Sequence, residues 1–121
     1  MSAPAVTTFR NLTAFAAARQ KWASDAADAA IDAERADGAR VIGRDDDSGY
    51  RYHTALGERV WDEAFDAAAE KWDKCETELR RLMREFDAEK YCTPVEHAFN
   101  EIADYYDRDL VEVVCDALEV V

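Results

Sequence analysis

Two pairs of carboxylates at helical spacing are the residues of this sequence most suited to metal chemistry. They are Glu63 with Asp66 and Glu101 with Asp104, and their E-x-x-D spacing places both members of a pair on one side of a helix. Two such pairs on facing helices could hold Mg²⁺ and a nucleoside triphosphate, provided that they point into a helical bundle. The apolar pattern predicts the opposite, because each pair falls on outer positions of its helix. We therefore expect all four carboxylates to face water.

Three other groups of residues fall short of a recognised site. Segment 45–49 is rich in aspartate, but it lacks the Gly and Glu that an EF-hand loop needs at its sixth and twelfth positions. Cys92 and His97 have no second Cys/His pair near them in the sequence with which to bind zinc. His53 has no Ser or Cys nucleophile in a recognisable arrangement. We predict no catalytic residue, no metal ligand, no cofactor and no enzymatic activity.

Acidic residues recur at helical spacing near the C-terminus. From Asp109 onward they follow one another after 3, 4 and 3 residues, and Glu101 and Asp104 precede them. A helix would display such carboxylates about 5–6 Å apart along one face. The predicted partner-binding residues combine these acids with the acidic turn near the middle of the chain: Asp45, Asp46, Asp47, Glu101, Asp104, Asp109, Glu112, Asp116 and Glu119.

The charge balance restricts the partners. The 121 residues include 27 Asp and Glu against 15 Lys and Arg, a net charge of −12. Residues 1–24 hold three bases and no acid, whereas residues 94–121 hold eight acids against Arg108 alone. Such a charge repels nucleic acid and anionic membranes at long range. We therefore expect no direct binding to nucleic acid or to a membrane. The expected partner is a basic protein surface, such as that of a nucleic-acid-binding complex.

Cysteine usage and the N-terminal segment bear on the compartment. The three cysteines form neither an even-numbered framework nor a C-x-x-C pair, which argues against a disulfide-built secreted domain. The longest apolar run near the N-terminus, residues 14–18, is too short for a signal peptide or a membrane span. We expect a cytoplasmic protein, in the host cytoplasm if a phage encodes it.

Apolar residues at spacings of 4 and 3 predict a long helix. Thr54 and Gly57 mark its start. The pattern is the a/d seam of a helix that packs along another. The seam consists of Trp61, Phe65, Ala68, Trp72, Cys75, Leu79, Leu82 and Phe86.

A second helical segment begins at Thr93. The sequence Thr93-Pro94-Val95-Glu96 predicts a capping box with Pro at the first helical position. Apolar residues continue at helical spacing toward Val121, with a predicted break around 107–109. The connecting residues, about 87–92, are few enough to predict an antiparallel hairpin of two long helices.

The first third of the chain predicts another helix and a short β-hairpin. The apolar positions are Phe9, Leu12, Phe15 or Ala16, and Trp22 or Ala23, followed by an alanine-rich face at residues 26, 30 and 33. Asp37-Gly38 is a helix stop. Two β-prone runs, 40–44 and 50–53, flank the acidic turn and read as strands.

The predicted fold class is mainly α: a small helical bundle built on an antiparallel hairpin of two long helices, with an N-terminal helix and a short β-hairpin near residues 40–53. We expect residues 1–121 to form a single acidic helical domain. By analogy with small acidic proteins that act as decoys for nucleic acid, the predicted function is a protein-binding inhibitor or adaptor. Phage anti-defence proteins of the anti-CRISPR type often take this form, occluding a basic surface by DNA mimicry.

Two alternative functions follow from other features. The apolar seam could form a helical homodimer of a structural or assembly protein, in which Trp61, Phe65, Trp72 and Leu79 would cross between chains. The E-x-x-D pairs, if turned inward, would suit a Mg²⁺-dependent all-α nucleoside triphosphate pyrophosphohydrolase.

Overall fold

The computed structural model describes residues 3–86 and 93–119, with side chains from residue 12 onward. Within these ranges the elements are α1 (Ala3–Ala36), β1 (Ile42–Arg44), β2 (Arg51–His53), α2 (Ala55–Arg84), α3 (Pro94–Ile102) and α4 (Arg108–Glu119). The predicted mainly α-helical fold with a short β-hairpin is confirmed. The chain divides into two compact units: the first comprises residues 1–20 and 70–121, and the second residues 21–69. The predicted linker at 87–92 lies outside the described residues.

The apolar seam of α2 is buried from Ala68 to Leu82 as predicted, whereas Trp61, Phe65 and Phe86 toward its ends are half-buried. In the first unit Trp72, Cys75 and Leu79 are each 0 % exposed and Leu82 is 9 % exposed. In the second unit Ala68 is also buried. Residues at alternating spacings of 4 and 3 return to the same side of a helix, so this seam forms one continuous apolar side. Burial of that side is the main source of α2's stability, because propensity alone stabilises an isolated helix only weakly.

The core of the first unit contains an aromatic contact between α1 and the second half of α2. Phe15 meets Trp72 edge to face, with ring centroids 5.7 Å apart. The guanidinium of Arg80 lies 5.4 Å from the centre of the Phe15 ring. At the rim, Arg19 donates two hydrogen bonds to the carboxylate of Asp73, at 2.8 and 3.0 Å. A bidentate pair of this kind fixes orientation as well as adding energy.

The second unit is packed around small side chains. Ala23, Ala68 and Ala69 form a buried cluster, against which Phe65 packs from the side. Phe65 stacks in turn on Trp61, with centroids 5.2 Å apart, and the indole of Trp61 donates a hydrogen bond to Asp28. The alanines permit close helix approach, while the aromatic residues supply the apolar area that alanine lacks.

The buried face of α1 differs from the predicted register. Phe15 and Ala23 are buried, at positions that the sequence pattern allows. Beyond them Ala27 and Ile31 are buried, whereas the pattern predicts Ala26, Ala30 and Ala33. Leu12, predicted as apolar contact, is 51 % exposed. The reason is that alanines lie on several faces of this helix, so the sequence pattern does not distinguish the buried face from the exposed one.

The β-hairpin forms at the predicted place and around the predicted turn, with strands of three residues each, shorter than the predicted runs 40–44 and 50–53. Its register pairs Ile42 with His53 and Arg44 with Arg51. In the turn, one carboxylate oxygen of Asp45 accepts hydrogen bonds from the amides of residues 47 and 48, at 2.8 and 3.1 Å. Gly49 has a φ of +73°, in the left-handed region that glycine adopts without strain.

The hairpin is joined to the start of α2 by a tight backbone contact. Val41 is fully buried, and its carbonyl accepts a hydrogen bond from the amide of Thr54 at 3.0 Å. The Thr54 hydroxyl accepts from the amide of Gly57 at 3.1 Å and caps the helix. A Cβ added at Gly57 would lie 2.0 Å from the Val41 carbonyl oxygen, which leaves room for glycine alone. Thr54 and Gly57 are thus confirmed as the start of α2.

The capping box at Thr93 is confirmed. The Thr93 hydroxyl accepts from the amide of Glu96 at 3.1 Å, and the Glu96 carboxylate accepts from the Thr93 amide at 3.4 Å. The predicted break also occurs, but at residues 103–107 rather than 107–109, because α3 ends at Ile102 and α4 begins at Arg108. The Asp107 carboxylate accepts from the amide of Asp109 at 3.0 Å and satisfies a free donor of that helix.

We predict that Gly57→Ala destabilises the protein by about 1–3 kcal/mol, because the new methyl group would displace the Val41 backbone. The intrinsic preference of helices for alanine, about 1 kcal/mol, opposes this change and is outweighed. Urea denaturation measures the difference. The exposed neighbour Arg59→Ala is the control and should leave the midpoint within error, and a midpoint for Gly57→Ala at or above wild type would contradict the tight contact.

We predict that Thr93→Ala costs about 1 kcal/mol of unfolding free energy through loss of the cap. Thr77→Ala is the matched control, since the Thr77 hydroxyl donates only to a carbonyl one turn back within α2, where alanine is the better helix former. Equal denaturation midpoints for the two variants would show that the Thr93 cap contributes nothing.

Candidate functional site

The predicted acidic row lies on α4, which is sharply two-sided. Its inner side buries six residues, and the opposite side exposes the acids. The helix amphipathicity fixes this orientation, since apolar residues at helical spacing must turn to the core. The exposed carboxylates are those of Asp109, Glu112, Asp116 and Glu119.

Helices α3 and α4 pack on each other and leave between them a groove of about 490 Å³. Apolar side chains from both helices line its floor: Val95, Phe99 and Cys115. Polar and acidic side chains line its rim, and we call the whole the α3–α4 groove. The rim consists of Glu96, Asn100, Glu112, Asp116 and Glu119.

Arg108, a basic residue of the protein itself, contacts residues of this groove. Arg108 extends its guanidinium over the Phe99 ring, 5.5 Å from the ring centre. Its Nε lies 3.5 Å from a carboxylate oxygen of Glu112. A cation on an aromatic face beside a carboxylate is a favourable arrangement, stronger for arginine than for lysine because the guanidinium is planar and weakly hydrated. The groove is therefore chemically suited to arginine side chains.

The two described thiols of the first unit are held in the neutral form. Burial raises the pKa of Cys115 to about 11, with a further contribution from the negative charges of Asp116 and Glu119. Burial likewise raises the pKa of Cys75 to about 12. Because the thiolate is the nucleophile, neither side chain is suited to covalent catalysis.

Glu101 and Asp104 are exposed, as predicted, but do not continue the α4 row. The chain leaves the helical path after Ile102, and Glu101 lines a different cavity, beside Glu78 and Arg81 of α2. The cause is the break before α4, which interrupts the period that would have aligned these carboxylates with Asp109. Their role in partner binding stays a prediction.

The aspartates of the acidic turn, Asp45, Asp46 and Asp47, are exposed in the second unit. Hydrogen bonds from the amides of Ser48 and Asp47 lower the pKa of Asp45, so its carboxylate is a structural part of the turn. The stabilisation it gives the turn is present above the ordinary aspartate pKa and is lost as the pH falls through the lowered value. Their part in partner binding also stays a prediction.

The carboxylates considered for metal binding point outward. Glu63 and Asp66 are exposed on α2. Within residues 3–86 and 93–119, no group of three or more His, Cys, Asp or Glu side chains is arranged to hold a metal ion. The described geometry offers no inward carboxylate cluster of the kind used by helical-bundle metal sites.

Sequence reasoning missed the α3 side of the groove. Glu96 was interpreted as a capping residue alone, yet it both caps α3 and lines the rim. A sequence signal for this surface was present. Glu96 and Asn100 are four residues apart, as are Val95 and Phe99, and this spacing places each pair on one side of a helix.

Comparison with known proteins adds no relative: no family model, no curated protein and no solved structure matches this chain. Among the helices that the structure describes, none is long and apolar enough to cross a membrane. The function must therefore be argued from the surfaces of the molecule.

We predict that Cys115 reacts slowly with iodoacetamide at pH 8 in the native protein. A pKa near 11 in place of about 8.5 lowers the thiolate fraction at pH 8 by roughly two orders of magnitude. Peptide mass spectrometry after timed alkylation measures the rate, with the chain unfolded in urea as the control. Native and unfolded rates within a factor of two would contradict the buried thiol.

Proposed function

We propose that this protein is a small acidic inhibitor or adaptor that binds a basic protein surface and occludes it. The observation that carries the proposal is the position of the Arg108 guanidinium, over the Phe99 ring and beside the Glu112 carboxylate. An arginine of a partner could make contacts of the same kind along the rest of the groove. The partner most suited to this surface is one that ordinarily binds nucleic acid, because its basic groove is built for phosphate and accepts carboxylates in its place.

The α3–α4 groove supplies both parts of a site for basic side chains. Lysine and arginine have long apolar stems that pack on an apolar floor, while their charged ends reach a polar rim. Here Val95 and Phe99 offer the floor, and Glu112, Asp116 and Glu119 offer acceptors. A basic helix laid in the groove would place its cations at spacings of three and four residues, matching the acids of α4.

Charge density limits how far DNA mimicry by α4 alone can extend. From Asp109 to Glu119 the helix rises ten residue steps, or about 15 Å at 1.5 Å per residue. Duplex DNA carries one charge per about 1.7 Å, so α4 is several-fold less dense. An anti-defence role of the anti-CRISPR type would therefore require further acids, for which Asp45–Asp47, Glu101 and Asp104 are the proposed contributors.

The homodimer alternative is less well supported. It requires Trp72 and Leu79 to cross between chains, yet both are fully buried within one chain. Exchange of these side chains would open the core of the first unit, a cost of several kcal/mol for residues of this size.

The proposal predicts that reversing the charge of the groove rim abolishes partner binding without unfolding the protein. The test variant is Glu112→Lys/Asp116→Lys/Glu119→Lys, and the control is Asp62→Lys/Glu63→Lys/Asp66→Lys, an equal charge change on exposed positions of α2. Both, with wild type, are immobilised and exposed to nuclease-treated cytoplasmic extract at low salt. Captured proteins are identified by mass spectrometry after elution with salt or with duplex DNA.

We expect wild type and control to retain a basic nucleic-acid-binding protein that both salt and DNA release, since binding is electrostatic and the two ligands compete. The rim variant should lose at least nine tenths of it while its urea midpoint stays close to wild type. Equal retention by all three proteins, or retention that DNA does not reverse, would overturn the proposal. Recovery of the protein itself alone would favour self-association.

A further inference from the structure

Three arginines line one cavity of the second unit. The cavity has a volume of about 330 Å³, and its charged lining residues are Arg35 of α1 and Arg44 and Arg51 of the hairpin. The other lining residues are apolar residues or glycines: Gly38, Ala39, Ile42 and Gly43. No carboxylate among the described residues lines it, although acids outnumber bases almost two to one in the chain. We call this surface the arginine cavity.

The hairpin register brings two of these arginines together on one face. Arg44 and Arg51 are direct cross-strand partners. The amide of Asp45 donates to the carbonyl of Tyr50 at 2.8 Å, so the next pair along, Arg44 with Arg51, is of the non-hydrogen-bonded kind, in which side chains lie closest. Like charges directly opposite each other destabilise an antiparallel pair. A positive charge at Arg35 favours the C-terminal end of α1, whereas the Arg44–Arg51 pair has no such structural reason.

The positive charge of the cavity is not balanced by a carboxylate in the described part of the chain. None of the ion pairs formed there includes Arg35, Arg44 or Arg51, whereas several arginines of the first unit each pair with a carboxylate. The carboxylate next to Arg44 in the sequence, that of Asp45, accepts two amide hydrogen bonds inside the turn. All three arginines are exposed, so their guanidinium donors are available to an external anion.

The number of donors and charges in the cavity suits phosphate better than carboxylate. A carboxylate has two oxygens and a single negative charge, which one guanidinium group can engage with two parallel hydrogen bonds. A phosphate monoester has three acceptor oxygens and a charge of about −1.5 to −2 at pH 7, so it can accept paired hydrogen bonds from more than one guanidinium group. The cavity volume is at the small end of the range for ligand pockets, about 300–1,000 Å³, which suits a small anionic group.

We propose that the arginine cavity binds a phosphate group, either as inorganic phosphate or on a phosphorylated side chain of a partner, with Arg44 and Arg51 as the principal donors and Arg35 as the third cation. Guanidinium groups bind phosphate through paired hydrogen bonds, and a bound dianion removes the repulsion between the two hairpin arginines. A strand of many phosphates is disfavoured by the net charge of −12. This site lies in the second unit and does not depend on the function proposed for the α3–α4 groove.

Isothermal titration of the full chain with inorganic phosphate tests the proposal, with acetate as the matched carboxylate. Both titrations are made at the same low ionic strength, because salt screens exposed charges. We expect phosphate to bind saturably at millimolar concentration and acetate to bind about tenfold or more weakly, since a carboxylate engages one guanidinium group. Absence of phosphate binding at millimolar concentration, or equal affinity for phosphate and acetate, would overturn the site.

Substitutions locate the phosphate. Arg44→Gln/Arg51→Gln should weaken phosphate binding about tenfold or more. Its melting temperature without phosphate should equal or exceed that of wild type, since a like-charge pair is removed. Arg40→Gln/Arg59→Gln, the same charge change on exposed arginines of the same unit, should leave affinity within twofold. Unchanged binding in the first variant, equal loss in both, or a lower melting temperature in the first variant would overturn the assignment.

A variant that keeps the charge separates recognition by guanidinium groups from general attraction of anions. Arg44→Lys/Arg51→Lys retains both positive charges but lacks the planar pairs of donors, so we expect phosphate affinity to fall about threefold or more. Affinity equal to wild type would overturn the role of the guanidinium groups.

A last titration distinguishes the two sources of the phosphate group. The probe is a short peptide whose only charged group is one phosphoserine, and the control is the same peptide without phosphate. Affinity for the phosphopeptide about tenfold or more above that for inorganic phosphate would support a phosphorylated partner, because contacts with the peptide then add to those of the phosphate. Equal affinity for the two would support inorganic phosphate. Equal binding of the peptide with and without phosphate would overturn the proposal.

Discussion

Burial of one side of α2 is the constraint on which the rest of the structure depends. The first half of the helix supplies Phe65 and Ala68 to the second unit, and the second half supplies Trp72 and Leu79 to the first. Because the apolar side of α2 is used by the cores of the two units, the opposite side faces water and consists mainly of charged residues. The same logic governs α4 on a smaller scale. The acids there are exposed because the residues between them are required by the core, so that the core and the proposed binding surface are two sides of one helical pattern.

Acids are in excess in both units, but the two units differ in how their arginines are paired. In the first unit, Arg19, Arg80 and Arg81 pair with carboxylates, and the α4 acids remain in excess. In the second unit, Arg35, Arg44 and Arg51 are not engaged in ion pairs within the described part of the chain, although acids outnumber bases there as well. Surface ion pairs contribute little to stability, so nothing in folding requires this difference. The exposed acids of α4 form the surface that the proposed basic partner would contact.

Local signals made most of the fold predictable from sequence. The capping box at Thr93, the stop near Gly38 and the period of α2 each depend on residues a few positions apart, and each was found where expected. The register of α1 was missed because alanine offers no contrast between faces, and Ile31 alone distinguishes the buried side. The acidic row of α4 could be predicted from the spacing of its residues. The α3–α4 groove could not, since it forms only when the chain turns at residues 103–107 and α3 packs on α4. The juxtaposition of Arg44 and Arg51 was missed for a similar reason, because it depends on the register of the hairpin rather than on spacing along the chain.

The carboxylates of α4 have a consequence for ionic strength. Within the free protein they repel one another and Arg108 is the single base among them, so added salt screens this repulsion and favours the folded state. Attraction to a basic partner is screened by the same ions and weakens. Salt therefore acts in opposite directions on the free molecule and on its complex. In concentrated salt the free protein would be at its most stable and the proposed complex at its weakest, and a fall in salt concentration would favour the complex.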